Sequence, residues 1–452
     1  MLQAGAAAVD ITPKLGTQLA GDIGRYRPAE TVHDRLYARA LVLAYGGRKL
    51  CLVSLDLCCA SRFWSDEIRR RAADELDTEP EAVMVHSLQL HSAPNLAYDL
   101  LDLQQRIPPE LGWLRGAEAA YHVFAVERIL EAVRQANARL TPVTVSVASA
   151  IEGRVAFNRR FVMRDGSVRT HPITGDPLIR YAEGPLDPEL GVVCLSTEDM
   201  RVLALLLYYT CHPCHGYPHR YVSADWPGAW ADGMRAAYGA ECVPLVLNGC
   251  CGNIHHTNHL DPKWTDDQER MGGILTETAR QALKRPVAHQ RDPVLDWRSH
   301  HLRIPIRELS PSELSAAQQL LAEHPQPMWA DEAHTQVEWD WMYAVARLDM
   351  YELRQSDPLA DYEIQVFRIG GVAIVGLPGE PFVEGGLRIK LESPTYPTYV
   401  VHMCNDSEGY IPTEQAFARG GYETWTANWS RLVPQALDMI ADATAQVLRE
   451  LF

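Results

Sequence analysis

Histidine clusters supply most of the chemistry that this sequence can offer. The chain has 452 residues, of which 17 are histidines, and they concentrate in the segments 86–91, 212–219 and 255–259. Each segment follows a run of residues that is typical of a β-strand. Imidazole nitrogens bind metal ions and exchange protons near neutral pH. The three clusters are therefore candidates for metal ligation or for acid–base catalysis.

A carboxylate at a fourth strand end adds to this set. The segment 375–381 reads Val-Gly-Leu-Pro-Gly-Glu-Pro, so a tight turn delivers Glu380 to the end of a strand. Glu380 could instead stabilise a helix N-terminus through the helix dipole. Two imidazoles and one carboxylate, however, form a common catalytic metal site with an open position for water.

The order of strand and helix patterns indicates how such distant residues could meet. Helical spacing of apolar residues covers 63–76, 226–238 and 264–283, and strand patterns cover 82–87, 201–210, 243–247 and 362–375. We therefore predict an α/β fold in which mixed sheets are flanked by helices. Ligands of such folds bind beyond the carboxyl ends of strands, where the histidine clusters and Glu380 lie.

A helix start at Ser310 predicts an insert in this fold. Ser310 can cap the helix, Pro311 suits the first helical position, and Glu313 can complete a capping box. We interpret 310–354 as a helical lid or edge subdomain. No linker rich in Gly, Ser or Pro and no internal repeat divides the sequence. We therefore predict a single domain over 1–452.

Composition and net charge argue against several classes of binding partner. Apolar residues make up 47% and charged residues 22%, which is typical of a globular chain. The net charge of −16 repels both nucleic acid and anionic lipid. The longest apolar runs are far shorter than the roughly 18–20 residues that span a bilayer, and no signal-peptide pattern opens the sequence. We expect a cytoplasmic protein with reduced cysteines, a small-molecule substrate and no nucleic-acid or membrane partner, and leave a homo-oligomer open.

Short motifs along the whole chain follow one recognisable order. They are Asp-Ile-Thr-Pro at 10–13, His-Asp-Arg-Leu-Tyr-Ala-Arg-Ala at 33–40, Ser-Leu-Asp at 54–56, Asn-Arg at 158–159, His-Pro at 212–213, Ser-Ala-Asp-Trp-Pro-Gly at 223–228 and Pro-Gly-Glu at 378–380. This order resembles the catalytic domain of the neutral ceramidase family, zinc-dependent amidases that cleave the N-acyl bond of ceramide. We find no counterpart of the family's C-terminal immunoglobulin-like domain.

The resemblance implies a zinc site. The family binds zinc through the first His of a His-Thr-His-Ser-Gly-Pro motif, the His of His-Pro, the Glu of Pro-Gly-Glu and a downstream Tyr. These positions imply His212, Glu380 and Tyr410, the last within Gly-Tyr-Ile-Pro-Thr-Glu at 409–414. The Asn-Arg of the family's substrate pocket corresponds to Asn158 and Arg159. Tyr410 could otherwise be a loop aromatic, and Arg159 could be one half of a surface ion pair.

The first ligand motif departs from the family. The segment 89–94 reads Gln-Leu-His-Ser-Ala-Pro, so Gln89 occupies the first-ligand position and His91 that of the second histidine. Strand alternation predicts that these two side chains share one face, but an amide oxygen is a poor zinc ligand.

A second motif differs as well. Gly-Asn-Ile-His-His at 252–256 replaces the family's Gly-Asp-Val-Ser-Pro, which makes Asn253 and His255 candidates for substrate binding. Three outcomes are open: His91 or His255 replaces the missing ligand, the metal changes or binds weakly, or metal chemistry has been lost. We favour a retained site because the other three implied ligands persist together.

We therefore expect a metal-dependent hydrolase of an amide or related acyl bond in a small soluble substrate. Zinc would be held by ligands drawn from Gln89, His91, His212, Glu380 and Tyr410. His91 would exchange protons, while Tyr410 and Arg159 would stabilise the oxyanion or bind substrate, with Asn158, Asn253 and His255 around them. The alternatives are a glycoside-active hydrolase, in which Trp425 and Trp429 stack on a sugar, and a catalytically inactive binding protein.

The substitution Gln89→His tests the alignment of the first motif. If another histidine has replaced the missing ligand, His at position 89 should raise metal affinity or crowd the site, with altered activity in either case. If Gln89 contacts substrate through its amide, which donates and accepts, activity should fall with no gain in metal retention. Metal titration into the chelated wild-type and variant proteins, with activity followed in parallel, separates these results. Identical affinity and turnover would place Gln89 outside the site.

Overall fold

Nine α-helices are interspersed among the strands in the part of the chain that the structure describes. The computed structural model describes residues 1–98, 100–116, 118–290 and 293–452, without the side chains at 289 and 290. The strands are β1 (Gln3–Asp10), β2 (Thr31–Val32), β3 (Tyr37–Tyr45), β4 (Arg48–Leu55), β5 (Val83–Ser87), β6 (Thr141–Ile151), β7 (Phe157–Asn158), β8 (Arg160–Met163), β9 (Val168–Thr170), β10 (Ile179–Ala182), β11 (Glu189–Thr197), β12 (Val202–Tyr209), β13 (Tyr221–Val222), β14 (Val243–Asn248), β15 (Ile254–His255), β16 (Ala288–Gln290), β17 (Leu295–Pro305), β18 (Leu359–Ile369), β19 (Val372–Gly376), β20 (Glu380–Pro381), β21 (Thr398–Val401) and β22 (Tyr410–Ile411). The α-helices are α1 (Arg62–Leu76), α2 (Ala119–Ala138), α3 (Asp225–Tyr238), α4 (Gln268–Leu283), α5 (Pro311–Glu323), α6 (Trp339–Ser356), α7 (Val383–Glu392), α8 (Glu414–Arg419) and α9 (Ala436–Leu451), and short 3-10 segments occupy Pro80–Ala82, Pro109–Arg115 and Tyr422–Thr424.

The larger sheet is buried on both faces. Its described strands follow the order β14-β12-β11-β6-β1-β3-β4-β5, with β16 paired to β6. The pairs β14–β12 and β4–β5 are parallel and the other neighbours on this path are antiparallel. On β4, Cys51 and Val53 face a core shared with α1 to α4, whereas Leu50 and Leu52 face the other sheet. Side chains on the two faces therefore alternate with the period of a strand.

The smaller sheet packs on that second face. Its order is β17-β18-β19-β21, with β19 and β21 parallel. Phe367 and Ile374 join the core between the sheets, while Ile364 and Val375 join a core with α7 and α9. The layers are thus helices, larger sheet, smaller sheet and helices. This arrangement confirms the predicted α/β class with mixed sheets flanked by helices.

Two strand assignments from the sequence need correction. The segment 362–375 is two antiparallel strands, β18 and β19, rather than one, because Gly370 adopts φ 62° and turns the chain. The sequence patterns miss strand β1, because its Ala-rich sequence has a single β-branched residue, Val9. Small residues are required there because a Cβ atom at Gly5 would overlap the carbonyl oxygen of Ala136 on α2.

The predicted insert consists mainly of α5 and α6, which pack against each other. The capping box at its start is confirmed: Glu313 N donates to Ser310 Oγ (3.2 Å), and Ser310 N donates to Glu313 Oε2 (2.9 Å). Trp341 is fully buried and donates from Nε1 to the carbonyl oxygen of His324 at 3.0 Å. This tryptophan is therefore core material, whereas Trp339 is 47% exposed.

Two further expectations concern thiols and membranes. All ten cysteines, including the adjacent pairs at 58–59 and 250–251, are free thiols. None of the helices in the described part of the chain combines the length and the apolar character that a bilayer crossing requires.

The substitution Gly191→Ala should destabilise the protein, because the two sheets approach closely at this position. A Cβ atom at Gly191 on β11 would overlap the ring of Tyr399, which is fully buried on β21. Overpacking of this kind costs about 1–3 kcal/mol of the free energy of unfolding, which urea unfolding measures. Gly153→Ala is the matched control, because no described atom lies within 4 Å of a Cβ atom there. Equal unfolding midpoints for the two variants would contradict the close approach of the sheets.

Candidate functional site

His212 and Glu380 reach the site from different sheets. His212 lies three residues beyond the end of β12 in the larger sheet, and Glu380 begins β20 shortly after β19 of the smaller sheet. The atoms His212 Nε2 and Glu380 Oε2 are 3.3 Å apart. The structure thus brings together two of the predicted metal ligands.

The hydrogen bonding of His212 defines what its free nitrogen can do. Its Nδ1 lies 2.7 Å from the carbonyl oxygen of Cys251, to which it donates. In the neutral ring, Nε2 then carries a lone pair and faces the carboxylate. Neither His212 Nε2 nor Glu380 Oε2 has a hydrogen-bond partner among the described residues. Two buried acceptor atoms that face each other are the arrangement that a divalent cation satisfies.

Strand pairing places Tyr410 beside Glu380. Strands β20 and β22 are parallel, with Glu380 and Tyr410 as partners, and Glu380 N donates to Gly409 O at 2.7 Å. Burial, together with the negative charge of Glu380, raises the pKa of Tyr410 well above its usual value, although Arg159 opposes the shift. Tyr410 therefore presents a neutral phenol in the absence of a bound cation.

Gln89 and His91 lie in the loop that follows β5, not on the strand itself. Strand β5 ends at Ser87 and Gln89 adopts φ 65°, so the prediction that strand alternation sets both side chains on one face is wrong. Gln89 Oε1 accepts a hydrogen bond from Cys251 Sγ at 3.6 Å. Gln89 thus contacts the residue whose carbonyl orients His212.

His91 lies directly beside His212. The centroids of the two rings are 5.5 Å apart. Gly21 makes room for this ring, because a Cβ atom there would lie 2.6 Å from His91 Cγ. Burial lowers the pKa of His91 well below its usual value, and the positive charges of Arg27 and Arg159 add to the shift. His91 is therefore neutral at pH 7.

Arg159 is buried, so the alternative of a surface ion pair is wrong. It is 2% exposed, its Nη2 donates to Gly252 O at 2.7 Å, and its Nε donates to Glu423 Oε1 at 3.2 Å. The guanidinium carbon lies 5.5 Å from the ring centroid of Tyr410 and 5.4 Å from that of Tyr422. Burial opposes its charge, but these tyrosines and Glu423 hold the pKa of Arg159 well above its usual value. Arg159 is thus a fixed positive charge next to Tyr410.

Asn158 and Asn253 use their side-chain amides to hold the backbone around the site. Asn158 Nδ2 donates to Pro185 O at 3.0 Å, and its Oδ1 accepts from Arg160 N at 3.0 Å. Asn253 Oδ1 accepts from Val383 N, and its Nδ2 donates to a carboxylate oxygen of Glu384, both at 2.9 Å. Substrate binding by these two residues stays a prediction.

A row of histidines extends from His255. Its ring centroid is 4.5 Å from that of His171 and 4.1 Å from that of His256, which in turn stacks on His215 at 3.6 Å. His215 Nδ1 forms a hydrogen bond with Asp225 Oδ1 at 2.7 Å, and its Nε2 forms one with Asp266 Oδ2. A role for His255 in substrate binding stays a prediction.

Part of this row could hold a metal ion. One ligand atom from each of His215, His256 and Asp266 lies within 4.8 Å of the others. His215 lies in the cluster 212–219 and His256 in the cluster 255–259, but neither is among the predicted site residues. A Cys-His-Pro-Cys-His run at 211–215, with two histidines three residues apart, was the available signal.

Comparison with solved structures identifies the fold. The whole chain matches the crystal structure of neutral ceramidase from Pseudomonas aeruginosa with a TM-score of 0.74, at 18% identity and over 75% of that chain. It also matches a ceramidase complexed with C2 over its whole length, with a TM-score of 0.72, at 16% identity and over 76% of that chain. No family model and no curated protein sequence matches the chain. The chain therefore has the neutral-ceramidase fold that the motif order predicts.

The substitution Glu423→Gln should destabilise the protein strongly, because Glu423 neutralises two buried arginines. Its carboxylate, which is fully buried, accepts from Arg159 Nε (3.2 Å) and from Arg160 Nη1 (2.7 Å). Removal of one partner from a buried ion pair costs about 3–5 kcal/mol. The change Glu392→Gln is a matched control, since Glu392 is 38% exposed on α7 and pairs with Arg388; its cost should stay below about 1 kcal/mol. Similar unfolding free energies for both variants would contradict this role.

Proposed function

We propose that this protein is a metal-dependent hydrolase that cleaves an amide or related acyl bond in a small soluble substrate. The observation that supports the proposal is the pair His212 Nε2 and Glu380 Oε2, which face each other at 3.3 Å with no hydrogen-bond partner among the described residues. This pair lies in a fold shared with ceramidases.

His212, Glu380 and Tyr410 would hold the ion. Imidazole nitrogen with carboxylate and phenol oxygen is a donor set that suits zinc. The carbonyl of Cys251 fixes the ring of His212 with Nε2 toward the site, as partners of metal-binding histidines do. A zinc ion at this position would polarise the scissile carbonyl and lower the pKa of a bound water.

The other predicted residues support this chemistry by charge and protonation. His91 is neutral and adjacent to His212, so it can take a proton from the attacking water and return it to the leaving group. Arg159 keeps its positive charge close to Tyr410, where it would stabilise negative charge that develops on the substrate oxygen. Gln89 contacts Cys251, whose carbonyl oxygen accepts a hydrogen bond from His212, and so would help to fix the orientation of His212.

A small soluble substrate suits the charge of the chain. The net charge of −16 disfavours approach to an anionic membrane surface. We therefore propose soluble N-acyl compounds rather than ceramide in a bilayer.

The variants His212→Ala and Glu380→Ala should each lose about one zinc ion per chain relative to wild type, because either change removes a ligand of the proposed site. Metal analysis of the chelated and refilled proteins measures this loss. The substitution His300→Gln, at an exposed residue on β17, is the control and should retain the wild-type metal content. A wild-type metal content in the double variant would mean that the site lies elsewhere.

An activity assay distinguishes this proposal from its alternatives. Release of free amine from soluble N-acyl substrates should depend on zinc and stop with a chelator. Arg159→Lys should lower turnover at least about tenfold, since a lysine lacks the planar fork that holds Gly252 O and Glu423 together. Glycoside cleavage with no N-acyl cleavage would favour the second enzyme class, and binding without turnover would favour a binding protein.

A further inference from the structure

We propose that His215, His256 and Asp266 form a second metal site, which holds a divalent transition ion of the zinc class. This site is separate from the pair His212 and Glu380, and its occupancy by an ion does not rest on the proposed hydrolase function, although the role given to that ion below does. It is built from two segments of the chain, one that follows β12 and one that follows β15.

The distances within the cluster match those of a coordination shell. Two donors bonded at about 2.0–2.1 Å to one tetrahedral ion lie about 3.3 Å apart. Asp266 Oδ2 is 3.2 Å from His215 Nε2 and 3.7 Å from His256 Nδ1. The rings of the two histidines stack with their centroids 3.6 Å apart. One ligand atom from each of the three residues lies within 4.8 Å of the other two, so all three can face one ion.

His256 provides the second, independent observation. Its side chain is 12% exposed, and both of its ring nitrogens are buried with no hydrogen-bond partner among the described residues. Buried polar atoms normally have hydrogen-bond partners, because an unpartnered atom loses its hydrogen bonds to water on burial and forms none in their place. A bound ion would satisfy the nitrogen of His256 that faces Asp266.

The surroundings orient the other two donors. Asp225 Oδ1 accepts from His215 Nδ1 at 2.7 Å, and this carboxylate also accepts from Trp226 N at 2.7 Å and Gly216 N at 3.2 Å. This is the carboxylate–histidine pairing that directs Nε2 toward a metal. Arg270 Nη1 binds Asp266 Oδ1 at 2.8 Å, which leaves Oδ2 for the two imidazoles.

Charge also favours a cation. Asp225 and Asp266 carry two negative charges, against which the nearby Arg270 supplies one positive charge. A proton on His215 is the competing occupant, because the two carboxylates raise the pKa of His215 to about 9 against the effect of burial. Two nitrogens and one carboxylate oxygen favour zinc and related ions over Mg²⁺ or Ca²⁺, which prefer oxygen ligands.

An ion in this cluster would hold the first site in place. His215 lies three residues after His212, and His256 lies five residues after Cys251, whose carbonyl orients His212. By tying these two segments together, the ion would restrict the motion of His212 relative to Cys251. Its role is therefore positioning rather than catalysis.

Metal counting in refilled protein tests the proposal. Wild type stripped with a chelator and refilled with zinc should retain about two ions per chain, and Asp266→Asn and His256→Phe about one. Phenylalanine preserves the ring stack on His215 but lacks both nitrogens, so this variant should fold even if Asp266→Asn does not. Zinc should also raise the melting temperature of wild type more than that of either variant, and excess Mg²⁺ should not displace it.

Matched controls and the first-site variant separate the two proposals. Asp438→Asn on α9, 65% exposed, and His300→Gln on β17 should both retain the wild-type zinc count. An unchanged count in Asp266→Asn and His256→Phe would overturn the second site and leave a proton on His215 as its occupant. An unchanged count in His212→Ala, together with a loss in Asp266→Asn, would instead overturn the first site and retain the second.

Discussion

Contact between the two sheets is the interaction on which the site depends. Tyr208 of β12 stacks on Tyr399 of β21, with ring centroids 4.9 Å apart, and apolar side chains from both sheets fill the space around them. Strand β12 leads to His212, and β19, the neighbour of β21, leads to Glu380. A shift of one sheet against the other would therefore separate the two atoms that face each other in the candidate site. Close packing makes such a shift costly.

A buried hydrogen-bond network holds the same edge of the two sheets. His86 Nδ1 donates to His402 O at 2.8 Å, its Nε2 accepts from Asn248 N at 3.1 Å, and His402 N donates to Asn248 O at 3.1 Å. Burial lowers the pKa of His86 to about 3, so the ring stays neutral and can donate and accept at the same time. This histidine of the first cluster is structural. Its neighbour His91 is the one that reaches the site.

The histidines near the site fall into two groups, which differ in the direction of their pKa shift. Burial lowers the pKa of His91 and His255 well below the usual value, and the positive charge of Arg159 adds to this effect. Neutral imidazoles of this kind can accept protons or bind metal ions. His215 differs because Asp225 and Asp266 flank its ring and raise its pKa. The same fold thus provides one environment for neutral histidines and another that attracts positive charge.

Local patterns in the sequence determined the main helices and the capping box at Ser310, because these features depend on residues only a few positions away. The order of short motifs predicted the fold and, through it, the pair His212 and Glu380. Tertiary structure alone decided the left-handed backbone of Gln89, the burial of Arg159 and the meeting of His215, His256 and Asp266. The reason is physical: these features arise when segments distant in the chain pack together, and the spacing of residues along a strand or helix does not encode the distance between two such segments.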